Sequence, residues 1–199
     1  MTFKKLLLLS LLLVLSFGIS AQDSSNWLAE FNQDRLSLNR QGMLVLGSWS
    51  IANMTWSAFN LKHPNGLNKA YHQMNLGWNA VNLIIAGFGY YQSQSIESLS
   101  LLDSWQEQES IKRILAVNAA LDIAYMAGGF YLRERAKNEA DKYNRWEGFG
   151  RAIIVNGAFL LSFDLIMYWL HASHGSADLI PYLQNINVNA EGVGIRLNF

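Results

Sequence analysis

Cysteine is absent, which excludes disulfide frameworks and thiolate metal sites. Proline is nearly absent, with only Pro64 and Pro181. Charge is scarce too, at 15% of residues against roughly 25% in soluble proteins. No basic excess exists: 15 basic and 15 acidic residues give a net charge of zero, which argues against a nucleic-acid binder. There is no Gly-rich phosphate loop and no nucleophile elbow. What is abundant is apolar surface, 51% of residues, with seven Trp. The 199 residues suffice for one domain.

The N-terminus runs Met1-Thr2-Phe3-Lys4-Lys5, then apolar from Leu6 to Phe17 apart from Ser10 and Ser16, ending in small residues at Ser20-Ala21. A basic start, a short apolar core and a small-residue exit form a signal-peptide pattern. The expectation is a signal over 1–21 with cleavage after Ala21. An uncleaved anchor is the alternative, although the run is shorter than the ~20 residues a span prefers.

Beyond it, the informative feature is where charges are missing. Residues 41–61 and 70–96 carry none, 114–132 carry only Asp122, and 152–177 carry only Asp164. Each window is long enough to cross a hydrocarbon core of ~30 Å as a helix. The expected fold class is therefore all-α: a four-helix transmembrane bundle over 39–177, with spans about 41–61, 70–93, 112–133 and 151–173. Residues 22–38, with Trp27, Leu28, Phe31, Leu36 and Leu38 among charges, form an amphipathic lead-in suited to a membrane surface.

The connections are polar. Lys62-His63-Pro64-Asn65-Gly66 is a turn signal. Ser98–Glu109 reads as an acidic loop, and Arg133–Arg151 as a basic connector. A cleaved signal leaves the new N-terminus outside an inner membrane. The 62–69 and 133–151 connections, with eight Lys/Arg, then face the cytoplasm, and the outer segments hold five. This orientation predicts a bacterial inner-membrane protein with a periplasmic C-terminus. In the tail, 178–199, two period-2 runs flank Glu191-Gly192, the signature of a hairpin. The repeated alternation of a membrane barrel is missing elsewhere.

Within the windows, stripe residues recur at spacings of three and four: Gly47, Ser50, Asn53 and Ser57; His72, Asn75, Asn79 and Asn82; Asn118 and Asp122; Gly157, Leu161, Asp164, Tyr168 and His171. Such spacing gathers them on one helix face. In lipid that face must turn toward other helices. Asn offers donor and acceptor together, so solid packing of an Asn ladder explains the stripes structurally. Asp122 and Asp164 are harder to explain, because a charged, unpaired carboxylate inside a membrane costs several kcal/mol. No Lys or Arg lies in any window. The functional reading is a polar cavity lined by Asn53, His72, Asn75, Asn79, Asn82, Asn118, Asp122, Asn156, Asp164 and His171, able to hold a cation, a relayed proton or a lipid headgroup. No cofactor and no metal is expected. His171, His174 and Asp164 are the weak metal candidates, and the topology keeps His72 at the opposite membrane face.

The segments Arg35-Leu36-Ser37-Leu38-Asn39-Arg40-Gln41-Gly42-Met43 and His72-Gln73-Met74-Asn75-Leu76-Gly77-Trp78-Asn79 resemble an uncharacterised family of small predicted multi-pass membrane proteins from Bacteroidota. The likeness covers residues 35 to about 175. It implies membrane residence and no particular activity.

The resulting expectation is an integral membrane protein, more structural, binding or transporting than enzymatic, with the lipid bilayer as its partner. A homo-oligomer or a second membrane protein stays open as a further partner. Two alternatives stand beside it: a membrane-embedded enzyme using Asp122, Asp164 or His171, and a soluble periplasmic helical bundle with a charged outer face.

Overall fold

The computed structural model describes residues 3–62, 65–95, 98–176, 186–189 and 192–195, with side chains described between Trp27 and Ser176. Four α-helices dominate: α1 (Phe3–Asn60), α2 (Gly66–Gln92), α3 (Leu101–Ala136) and α4 (Tyr143–His174). A short 3₁₀ turn, Ala140–Lys142, precedes α4. In the tail, β1 (Ile186–Asn189) pairs antiparallel with β2 (Gly192–Ile195), Val188 opposite Val193. The expected signal, lead-in and first span all lie on α1, which runs 58 residues without a break. His63 and Pro64 of the expected turn lie outside the described residues.

Helix starts follow local capping. The Asn65 side chain accepts from the Asn68 backbone N–H at 3.1 Å and so opens α2. Ser100 opens α3 in the same way, accepting from the Asp103 N–H at 3.2 Å and donating its own hydroxyl to Asp103 Oδ2 at 2.6 Å. That cap corrects the sequence reading. The acidic stretch from Asp103 to Glu109 is not a loop but the first turns of α3. A charge-based boundary marks where apolar surface begins, whereas the helix begins where its orphan N–H groups find a cap.

The largest interface joins α3 to α4, followed by α1 on α2 and α2 on α4. α4 is thus central, and α2 and α3 scarcely touch. Close approach explains the α3–α4 seam. A Cβ at Gly150 would sit 2.5 Å from the Gly129 carbonyl oxygen, and one at Gly129 would sit 2.9 Å from that of Gly150. Only glycine lets these backbones meet. Gly148 plays the same part against α2, where a Cβ would fall 2.7 Å from Leu67 O.

Burial is inverted relative to a water-soluble bundle. The largest side chains with essentially no exposure are His171, Gln108, Asn75, Asn79 and Asn156. Large apolar side chains point outward instead, among them Ile84 (63% exposed), Phe88 (68%), Ile166 (58%) and Trp169 (65%). The apolar core is small, built round Leu46, Ala86, Leu115, Phe163 and Met167. Among the described residues, Leu101–Ala136 and Ala140–His174 are long and apolar enough to cross a membrane. The α1 and α2 windows, diluted by Asn, Ser, Gly and His, do not reach that threshold.

Candidate functional site

The polar stripes assemble into two zones, one solid and one hollow. The solid zone joins the C-terminal part of α1, the first half of α2 and the middle of α4. Asn75 Nδ2 donates to Ser57 Oγ at 2.9 Å, and His72 Nδ1 lies 3.1 Å from the same hydroxyl. Asn79 Nδ2 donates to Asn156 Oδ1 at 2.9 Å, and Asn156 Nδ2 donates to Asn75 Oδ1 at 2.7 Å. Asn53 accepts from Asn75 at 3.3 Å on the rim. The helical positions dictate this: 75, 79 and 82 succeed one another on one face of α2, and Asn156 reaches them from α4. Asn53, His72, Asn75, Asn79 and Asn156 therefore pack against one another, and none of them lines the cleft described next.

Asn82, Asn118, Asp122 and Asp164 line the hollow zone, a cleft of about 990 Å³ between α1/α2 on one side and α3 on the other, floored by α4. It exists because α2 and α3 scarcely touch. Asp122 and Asp164 neighbour each other in the cleft lining, with Asn118 beside Asp164. Asp122 Oδ2 and Asn82 Nδ2 are buried without a hydrogen-bond partner among the described residues. Trp78 and Tyr125, edge to face at 5.1 Å, stand at this end of the cleft.

The opposite end of the cleft carries Arg35, which sequence reasoning had counted only as an outer charge. Its Nη2 donates to Asn32 Oδ1 at 3.1 Å, and its Nη1 lies 3.6 Å from the Glu107 carboxylate. Burial pulls this guanidinium below the ordinary arginine value, and the Glu107 charge offsets part of the effect. Its signal in the sequence is Asn32 and Arg35, three residues apart on one face of α1.

His171 joins neither zone. Its ring is fully buried, with both nitrogens unpartnered among the described residues, and Gln108 Nε2 donates to its backbone carbonyl. His174 Nε2 lies 3.1 Å from Phe31 O, its ring stacked on Phe31 at 4.4 Å. No group of three His, Asp or Glu side chains suited to a metal ion occurs among the described residues.

At the far end of the α3–α4 pair, Glu147 lies between Arg133 (3.1 Å) and Arg151 (2.7 Å). Lys142 and Arg135 cap the Trp146 ring at 5.1 and 4.7 Å from its centroid. This basic, aromatic end matches an interfacial belt.

No curated protein and no solved structure matches the chain. A family profile does match, over residues 45–165. That stretch holds both carboxyls and the whole Asn cluster, but neither Arg35 nor His171. By this match over more than half of its length, the chain belongs to DUF6992, a family of unknown function.

Proposed function

We propose that this chain is a bacterial inner-membrane protein with four spans, about 41–61, 70–93, 112–133 and 151–173, serving as a binding or transport module. The single observation that carries the reading is the inverted burial. Amides, hydroxyls and acids fill the interior, and Ile, Leu, Val and Phe face outward along all four helices. In water such a surface would expose apolar area far beyond a few hundred Å². In lipid it costs nothing, and the polar interior then holds the helices together.

On this reading residues 1–21 act as the export signal and 178–199 as a periplasmic tail with a hairpin. The basic connections at 62–69 and 133–151 face the cytoplasm, which puts Glu147 and Trp146 at the inner interface and Arg35 at the outer one. The cleft then opens sideways into the outer leaflet and descends to Asp122 and Asp164 near mid-membrane. Below them the Asn75–Asn79–Asn156 cluster closes the bundle. One-sided access to a pair of neighbouring buried acids is the geometry of a binding site or of one half of a transport path.

Alkaline carbonate extraction tests the membrane reading. The full chain should stay in the pellet, and its release into the supernatant would sink the proposal. An enzymatic reading draws support from the same carboxyl pair, since two neighbouring acids on a cleft can serve as acid and base. Under it, Asp122→Asn and Asp164→Asn abolish turnover while abundance is retained.

A further inference from the structure

The two ends of the cleft differ, and the difference points to a ligand class. Along α3 the cleft extends from Glu107 to Tyr125, roughly 27 Å at the helical rise. Its wall is aliphatic, with Leu46, Val81, Ile85, Ile114 and Leu115. At the interfacial end stands a cation that is poorly compensated. The Arg35 side chain is only 6% exposed, yet among the described residues its one hydrogen bond is to Asn32 and its Nε has no partner. Its counter-charge, Glu107, lies 3.6 Å away with its own side chain 59% exposed. A guanidinium has five donors, and a desolvated one needs most of them engaged.

We propose that the cleft holds one anionic membrane lipid, its phosphate against Arg35 and one acyl chain along the aliphatic wall toward Asp122 and Asp164. This rests on the membrane reading above. A side-opening apolar cleft in a bilayer fills with hydrocarbon, and the charge at its mouth selects which lipid supplies it. Basic pockets between membrane helices recognise lipid phosphates in this way. The dimensions agree. One leaflet of a hydrocarbon core is roughly 15 Å deep, which leaves the upper part of the cleft for the headgroup. The volume of about 990 Å³ is that of a site for a sizeable organic ligand. A free phosphate would satisfy Arg35 but leave the aliphatic wall unfilled.

The test is native mass spectrometry of the full chain in detergent, with phosphatidylglycerol or phosphatidylcholine added at equal amounts. Phosphatidylglycerol should be retained in preference. Arg35→Gln should cut its retention roughly tenfold, the worth of one charge-assisted contact, and leave phosphatidylcholine unchanged. Arg35→Lys should recover part of the loss. Ile114→Trp, which fills the cleft, should reduce retention of both lipids. Inorganic phosphate in excess should displace neither. Equal retention by Arg35→Gln and the parent chain overturns the inference, and so does displacement by inorganic phosphate. Should Arg35→Gln fail to fold, unchanged phosphatidylglycerol retention by Ile114→Trp overturns it instead. A chain that resists carbonate but shows no lipid preference defeats this inference alone. A chain that carbonate releases defeats the membrane reading beneath it.

Discussion

Asn156 donates from Nδ2 to Asn75 Oδ1 across 2.7 Å, joining α4 to α2 at a point where neither residue has any exposed surface. The same Asn75 oxygen also accepts from Asn79 at 3.0 Å, and Asn79 in turn donates to Asn156 at 2.9 Å. The three amides are thus linked pairwise, Asn75 accepting twice and Asn79 donating twice, while Asn79 Oδ1 has no partner among the described residues.

Breaking that triangle strands further buried polar atoms. Asn156→Leu should lower unfolding free energy in detergent by about 1–3 kcal/mol. A double-mutant cycle with Asn75→Leu should give a coupling of ~0.6 kcal/mol and not above about 1.7. Strict additivity of the two substitutions would show that the amides do not interact.

Glycine contacts set the α3–α4 distance. Gly150→Ala places a methyl 2.5 Å from Gly129 O and 2.6 Å from Arg133 Cγ. It should destabilise by about 1–3 kcal/mol, as overpacking does. Gly128→Ala, with open space where its Cβ would go, should be close to neutral. Thermal unfolding of the two variants side by side checks the contrast.

Glu147 ties the α3–α4 pair at its basic end. Burial alone would push its carboxyl up, but Arg151 and Arg133 over-compensate and hold it below the ordinary glutamate value. A carboxyl depressed in the folded state adds stability above its unfolded value of about 4.3, and that contribution disappears as pH falls through the lower folded value. Glu147→Gln should therefore destabilise at neutral pH and flatten part of the loss seen below pH ~4 in the parent. An identical acid profile for both chains would rule out this role.

The absence of native cysteine permits clean single-cysteine labelling. Asn118, exposed on the cleft, should react as Asn118→Cys with a small maleimide. Asn79, fully buried in the amide cluster, should stay unreactive as Asn79→Cys until the protein is unfolded. Equal reactivity at the two positions would mean that the bundle has no separate hollow and solid zones.

The helices were legible because charge is withheld over long windows. The buried face of α2 was legible because His72, Asn75, Asn79 and Asn82 keep helical spacing. Pairing between helices was not. Nothing local states that Asn156 meets Asn75, or that Asp122 meets Asp164, because these contacts depend on α4 lying between α2 and α3. The cleft was equally hidden, being the consequence of how little α2 and α3 touch. Arg35 and Gln108 escaped notice because each stands in a charged stretch, where composition suggests solvent. Both are buried by neighbours from another helix. The boundary of α3 was misplaced because hydropathy records apolar surface, and the Ser100 cap lies about four turns before the charge-free window that begins at Ile114.

Spin labels attached at Ile84, Ile123 and Ile166, all more than half exposed, test most directly whether lipid surrounds the bundle. In vesicles, power saturation should show these labels relaxed by dissolved oxygen and shielded from a water-soluble nickel chelate, with the reverse at Lys137. Relaxation of the three isoleucine positions by the nickel chelate, as strong as at Lys137, would contradict the account.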